Sequence, residues 1–205
     1  YHQSPITTSK MQRQVEASLP TDWGNFNIIA YGDSPDDPTP HVALVHQNFN
    51  PAKPVLVRIH SECMTGDLFG SRRCDCGEQL EKALELAAKQ GGVVIYLRQE
   101  GRGIGLINKL KAYNLQDQGF NTADANTHLG FEVDARQYDL ALEILNDLDI
   151  HRIHLLTNNP LKIEAIESSE IEIVSRLPLV IEPKKENRNY LKTKQELMGH
   201  LLMVK

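Results

Sequence analysis

The sequence predicts an α/β protein: a single layered domain with a mixed, largely parallel sheet flanked by helices. Short β-branched segments alternate with segments of helical periodicity from residue 55 to 175, and this alternation is typical of parallel strands joined by crossover helices. The chain has 205 residues, of which 40% are hydrophobic, and this is enough to bury a core without cross-links.

The alternating region begins with two predicted strands and the helix between them. Residues 55–60 (VLVRIH) are short and β-branched, as in a strand, whereas the polar residues 61–75 predict a loop. Apolar residues recur at helical spacing over 77–90, and the two glycines that follow end this helix. Residues 93–97 are a run of apolar residues that predicts a buried strand.

The middle of the region is predicted to be mostly helical. Residues 100–105 (EGRGIG) predict a tight loop, and residues 106–117 predict a helix. Residues 118–134 are rich in Asn, Thr, Gly and Asp and predict irregular structure. Residues 138–148 have the pattern of an amphipathic helix.

The last elements are two strands and two helices. Residues 153–156 predict a strand, and a TNNP turn follows in which Pro160 suits the first position of a helix reaching residue 168. Residues 171–174 predict another strand. Asn187 is a candidate cap for a final helix at about 190–202.

The N-terminal part predicts two strands joined by a surface loop at the Pro-rich stretch 32–40. Residues 1–10 are polar and precede the first methionine, so we expect an expression remnant or a disordered extension there. The folded domain is expected to cover residues 11–205.

Composition argues against two classes of partner. The chain carries 27 acidic and 22 basic residues, so a general nucleic-acid-coating protein is not expected. The longest apolar run, residues 91–97, is too short to span a bilayer, and the N-terminus has no hydrophobic signal segment. A local basic pocket for a small anion stays open, because six of the ten arginines lie between residues 58 and 136.

The three cysteines, Cys63, Cys74 and Cys76, fall within fourteen residues. An odd number of cysteines without a signal segment argues against a disulfide framework. Three thiolates leave a tetrahedral zinc one ligand short, as in a catalytic site with an open position, or His60 closes a structural site. Three ordinary buried cysteines are the alternative to a metal.

The polar segments 61–75, 100–105 and 157–160 each follow a predicted strand. Ligands of α/β sheets usually bind at the carboxyl ends of the strands. We therefore expect the cysteine loop, the EGRG loop and the TNN turn to meet at one cleft.

These loops carry recognisable motifs: RIHSECMTGD at 58–67, FGS at 69–71, CDCG at 74–77, RQEGRGIGL at 98–106, YNLQDQG at 113–119, LLTNNP at 155–160 and MGH at 198–200. The set resembles GTP cyclohydrolase II, and the resemblance covers nearly all of residues 19–202.

The resemblance implies an enzyme that hydrolyses GTP at purine C8, a hydrolase of cyclic amidine C–N bonds. Its products would be formate, pyrophosphate and 2,5-diamino-6-ribosylamino-4(3H)-pyrimidinone 5′-phosphate, in the first step of riboflavin biosynthesis. It implies one Zn²⁺ per subunit, Mg²⁺ with the triphosphate, a homodimer, a cytoplasmic location, and no nucleic-acid or membrane partner. The family domain is often fused behind a dihydroxybutanone phosphate synthase, for which this chain has no room, so we expect a stand-alone enzyme or an excised domain. The alternative is an inactive paralogue that binds or senses a nucleotide.

The resemblance also implies roles for residues. Cys63, Cys74 and Cys76 would bind zinc, and Tyr113 would lie near the reacting water. Arg136 would attack the α-phosphorus with Asp134 as proton acceptor, although a clamp on the phosphate is physically easier for a guanidinium. Without the resemblance, Tyr113 is a core residue and Asp134 caps a helix that begins near residue 135. The expected GTP-binding residues are Arg58, Ile59, His60, Ser61, Glu62, Gln79, Glu100, Gly101, Arg102, Thr122, Thr157 and Lys162, with Glu100 expected at the donor edge of guanine.

Overall fold

The computed structural model describes residues 11–132, 134 and 136–202, and seven strands of these residues form one mixed sheet in the order β1-β2-β3-β5-β4-β6-β7. The strands β5, β4, β6 and β7 run parallel, and β1, β2 and β3 extend the sheet with antiparallel pairing. The strands are β1 Gln12–Thr21, β2 Gly24–Gly32, β3 His41–His46, β4 Val55–Ser61, β5 Val93–Leu97, β6 Arg152–Leu156 and β7 Glu172–Leu177.

Helices cover both faces of this sheet. In chain order they are α1 Met64–Asp67, α2 Cys76–Gln90, α3 Gly105–Asp117, α4 Thr122–His128, α5 Asp139–Asp147, α6 Pro160–Glu167 and α7 Arg188–Leu197, with a 3₁₀ turn at Glu100–Gly103. The predicted α/β fold with a mixed, largely parallel sheet is confirmed.

Strand β5 is apolar throughout and both of its faces are buried, whereas β4 carries Arg58 and His60 among its buried apolar residues. Alternate residues of one strand therefore belong to different cores. One core joins α2 to one face of the sheet, through Leu56, Ala83, Leu84, Ala87, Val94 and Leu156. The other joins α5 and α6 to the opposite face, through Val55, Val57, Ile144, Leu145, Ile153, Leu155 and Ile166.

The C-terminal end of α2 is fixed by a glycine. Gly91 adopts a left-handed conformation with φ of 68°, and its N–H bonds to the Ala87 carbonyl oxygen. A side chain at this position would also press on the carbonyl oxygen of Asn48. The predicted stop of this helix is therefore confirmed, and the turn leads directly into β5.

Several boundaries and two helices differ from the prediction. Helix α4 lies within the segment 118–134 that was expected to be irregular, because the Asn121 side chain caps it by accepting the N–H groups of Ala123 and Asp124. The short helix α1 lies within the predicted loop 61–75. The final helix ends at Leu197 and not at 202.

Strand β1 was not predicted, because most of its side chains are exposed and no apolar alternation marks it. The extension expected at residues 1–10 lies outside the described residues. No helix in the described part of the chain has the length and apolar character needed to cross a membrane.

Truncating the fully buried side chain of Ile153 tests the packing of the central strands. Ile153→Ala should lower the free energy of unfolding by about 2–5 kcal/mol, because the side chain is 0% exposed and its loss leaves a cavity. Val174→Ala on the edge strand β7 is the control, since Val174 is 38% exposed. Urea unfolding measures both variants, and equal losses would contradict the two-sided burial of β6.

Candidate active site

One cleft lies at the carboxyl ends of β4, β5 and β6, where the sequence placed it. Sixteen of the predicted site residues line it: Arg58, His60, Ser61, Glu62, Cys63, Cys74, Cys76, Gln79, Glu100, Gly101, Arg102, Tyr113, Thr122, Arg136, Thr157 and Lys162. The loops that follow three neighbouring parallel strands therefore supply most of its walls.

The cleft contains Cys63, Cys74 and Cys76, which we call the thiol group. The Sγ atoms of Cys63 and Cys74 are 3.6 Å apart, and the three sulfurs lie within 4.8 Å of one another. Tetrahedral zinc with Zn–S bonds of about 2.3 Å places its sulfurs about 3.8 Å apart. The geometry of the thiol group is therefore compatible with zinc.

Two glycines allow the sulfurs to come this close. A Cβ at Gly66, in α1, would lie 3.0 Å from the Cys74 sulfur and 3.2 Å from the Cys63 sulfur. A Cβ at Gly77, in the first turn of α2, would overlap the Gly66 carbonyl oxygen. Residues without side chains are therefore needed where α1 packs against the start of α2.

The electrostatics of the thiol group also favour a cation. Hydrogen bonds from the thiols of Cys74 and Cys76, and then the charge of Lys109, lower the pKa of Cys63. The Cys63 sulfur in turn raises the pKa of Cys74 to about 11, first because the Cys74 thiol is hydrogen-bonded to it and also because two thiolates so close together repel. A divalent metal would offset this repulsion and allow all three sulfurs to ionise.

Lys109 joins the thiol group to the EGRG turn. Its Nζ lies 3.1 Å from the Cys63 sulfur and 2.7 Å from Glu100 Oε1. Glu100 also accepts the N–H groups of Met64 and Gly101, each at 2.6 Å. Both oxygens of this carboxylate thus hold the turn against α1, and recognition of guanine by Glu100 stays a prediction.

Tyr113 lies beside the thiol group. Its Oη is 3.1 Å from Thr65 Oγ1, and Thr65 Oγ1 is 3.7 Å from the Cys63 sulfur. Burial raises the pKa of Tyr113, so its phenol stays protonated at neutral pH and can donate a hydrogen bond into the cleft. Helical periodicity alone would place Tyr113 in the core, but its side chain lines the cleft.

The same cleft is also lined by Arg58, Arg102, Arg136 and Lys162, which we call the cation group. Burial lowers the pKa of Arg58 to about 10, and burial together with the charges of Arg58 and Arg136 lowers the pKa of Lys162. Repulsion among buried cations indicates that the cation group is built for an anion.

Several polar atoms of the cleft are buried without a hydrogen-bond partner among the described residues. They are Nε of Arg58, Oγ of Ser61 and both Nη atoms of Arg102. Because buried polar groups in proteins are nearly always paired, these donors indicate the position of a bound ligand.

Arg136 and Asp134 form a buried ion pair. The Nε of Arg136 donates to Asp134 Oδ1 at 2.7 Å, and its Nη2 donates to the other oxygen. Although burial opposes the charge, Asp134 raises the pKa of Arg136, so the guanidinium stays protonated. A protonated guanidinium binds phosphate well and is a poor nucleophile.

The family model described as GTP cyclohydrolase II matches residues 12–178. The chain belongs to the GTP cyclohydrolase II family. It is 50% identical over 203 residues to the riboflavin biosynthesis protein RibBA of Bacillus cereus, covering 98% of this chain and 50% of that protein. It is 52% identical over 193 residues to RibBA of Chlorobium phaeovibrioides, covering 94% of this chain and 47% of that protein.

The chain spans about half the length of these curated relatives. Among solved structures, RibBX of A. baumannii, a two-domain 3,4-dihydroxy-2-butanone 4-phosphate synthase, matches with a TM-score of 0.48 and 20% identity. That match covers 86% of this chain and 42% of the other.

Two of the residues expected in a GTP cyclohydrolase II site lie behind the cleft surface. The side chain of Ile59 packs in the core, and its carbonyl oxygen accepts the Lys162 ammonium at 2.7 Å. Asp134 contacts Arg136 and caps no helix, since α5 begins at Asp139. The alternative in which Asp134 caps a helix near residue 135 is therefore wrong.

His60 does not complete the thiol group. Its Nε2 lies 3.1 Å from Asp67 Oδ1, and its ring stacks on Tyr96. Within the described ranges the metal-ligating group at this place consists of the three cysteines alone. A site closed by His60 is thus not the one observed.

Sequence reasoning missed several residues that line the cleft, including Lys109, Tyr190, Lys194 and His200. Lys109 lies on α3 in a pattern that gives no sign of its contacts. The last three belong to the C-terminal part of the chain, where the MGH motif was the available signal.

Replacing Cys76 tests the thiol group as a zinc site. Cys76→Ser should lower zinc affinity by roughly 10²-fold or more, because a serine hydroxyl barely ionises and even changes outside the ligand shell cost about 10–100-fold. Ser71→Ala is the control in the same loop, since the Ser71 hydroxyl accepts the Arg73 N–H. Chelator competition measures affinity, and equal values for Cys76→Ser and the unchanged protein would exclude this ligand.

Proposed function

We propose that this chain catalyses the zinc-dependent hydrolysis of GTP at C8, releasing formate and pyrophosphate and giving 2,5-diamino-6-ribosylamino-4(3H)-pyrimidinone 5′-phosphate. This would be the first step of riboflavin biosynthesis. One observation carries the proposal: a single cleft is lined by both the thiol group and the cation group. Family membership and the names of the relatives agree with it.

The thiol group serves the attack on the purine. When bound by Cys63, Cys74 and Cys76, zinc supplies Lewis acidity and lowers the pKa of water, which is otherwise a poor nucleophile. Tyr113 donates its phenolic proton or holds the water in place, from a position fixed by Thr65. Lys109 balances the negative charge of the sulfurs.

The cation group serves the triphosphate. Arg102 offers two free Nη donors, and Lys162 is held in place by the Ile59 carbonyl oxygen. Arg136, oriented by Asp134, clamps the charge that develops when pyrophosphate leaves. Mg²⁺ would accompany the triphosphate, as it does in most enzymes that bind nucleoside triphosphates.

We further propose that the enzyme is a cytoplasmic homodimer without nucleic-acid or membrane partners. Large apolar side chains are exposed on α3 and on the loop that contacts it: Leu68 is 71% exposed, Phe69 75% and Ile107 73%. Exposed apolar residues mark an interface where they form a continuous patch, and we propose that these three form one. Light scattering of the purified chain would determine its oligomeric state.

Incubation of the zinc-loaded chain with GTP and Mg²⁺ tests the proposed reaction. Formate, pyrophosphate and the diaminopyrimidinone should appear in equal amounts by mass spectrometry and coupled assays. ATP is the control substrate, because it lacks the guanine donor edge. Tight binding of GTP without any product would support the alternative of an inactive nucleotide-binding paralogue.

Tyr113→Phe separates the two chemistries of this cleft. Formate release should fall by about 10²–10⁴-fold, the usual contribution of a positioned proton donor or acceptor, while some pyrophosphate release persists. Tyr31→Phe is the control, because the Tyr31 hydroxyl bonds to Asp147 outside the cleft. A parallel fall of both products would mean that Tyr113 acts before the two steps diverge, and no fall would remove it from the reaction.

A further inference from the structure

The C-terminal segment, residues 187–202, forms one wall of the cleft. Tyr190 and Lys194 of α7, and His200 beyond it, line the same cleft as the cation group. The family model ends at residue 178, so that match assigns no role to these side chains.

Specific bonds hold this segment in place. Lys194 Nζ donates to Asp75 Oδ1 at 3.0 Å, and Asp75 lies between two of the cysteines of the thiol group. The N–H of Leu201 bonds to the Asn158 carbonyl oxygen at 2.8 Å, in the turn after β6. The N–H of His200 bonds to the Lys194 carbonyl oxygen at 3.0 Å. The position of His200 is therefore fixed from both sides.

The His200 side chain faces cations. Burial, followed by the charges of Lys194, Arg136, Lys162 and Arg102, lowers the pKa of His200 to about 3. The ring is therefore neutral at physiological pH when the cleft holds no anion, since a further positive charge there would be repelled.

The Nε2 atom of His200 is buried and has no hydrogen-bond partner among residues 11–132, 134 and 136–202. Both Nη atoms of Arg102, in the same cleft, share this property. A phosphate group placed among these atoms would accept hydrogen bonds from all of them and neutralise the surrounding charge.

We propose that His200 binds the triphosphate of the nucleotide through Nε2, so that the C-terminal segment completes the part of the cleft that binds phosphate. This inference rests on the proposed function for the identity of the anion. His200 is here a substrate-binding residue, and the segment that carries it is part of the active site and not a tail beside it.

Binding measurements on the full, zinc-loaded chain with Mg²⁺ test this role. Calorimetry measures the affinities for inorganic tripolyphosphate and guanosine, and initial-rate kinetics give the apparent affinity for GTP, which the proposed reaction consumes. His200→Leu should lower the affinity for GTP and for tripolyphosphate about tenfold, the value of one hydrogen bond to a charged group, and should leave guanosine binding unchanged. His200→Gln should keep most of the affinity, because its amide can donate from a similar position.

His151→Leu is the matched control, since His151 is exposed and pairs with Asp149 away from the cleft. The inference is overturned if His200→Leu and His200→Gln bind tripolyphosphate as the unchanged protein does. It is also overturned if both variants lose guanosine and GTP affinity equally, because that result indicates collapse of the cleft wall.

The same measurements separate this inference from the proposed reaction. Tripolyphosphate affinity that depends on His200, in a chain that forms no product from GTP, would refute the reaction and keep the phosphate site. Normal turnover with tripolyphosphate affinity independent of His200 would keep the reaction and refute the role of His200.

Discussion

Asp75 stands between two zinc-ligand candidates, and its buried carboxylate accepts hydrogen bonds from Lys194 and from Gln79. Gln79 in turn accepts the Arg58 guanidinium at 2.6 Å. Although burial opposes ionisation, Lys194 keeps the pKa of Asp75 below its usual value. Loss of one partner from a buried ion pair typically costs about 3–5 kcal/mol. The thiol group, the cation group and helix α7 are thus all linked to this one carboxylate.

The cleft concentrates positive charge in a chain whose net charge is −5. Arg58 and Arg136 lie close enough to Lys162 to lower its pKa, and of these three cations Arg136 alone has an ion-pair partner among the described residues. This arrangement destabilises the empty fold and favours any ligand that brings several negative charges. The Asp134–Arg136 pair limits the cost by neutralising one of these cations.

The central fold could be predicted because the uninterrupted apolar residues 93–97 indicate a strand that is buried on both faces. Strand β1 could not, because an exposed edge strand leaves no such pattern. The meeting of three loops at one cleft followed from the order of strands and helices. The Lys194–Asp75 bond did not, because it joins residues 119 positions apart and is created by the folded arrangement of α7. For the same reason, the place of His200 and Lys109 in the cleft could not be predicted from the sequence.

The contact between Gly66 and Gly77 lets the backbone of α1 pack against the first turn of α2, where the three sulfurs meet. A side chain at either position would push these two helices apart and widen the space between the sulfurs. Two residues without side chains, neither of which can bind an ion itself, therefore set how closely the three thiols can stand.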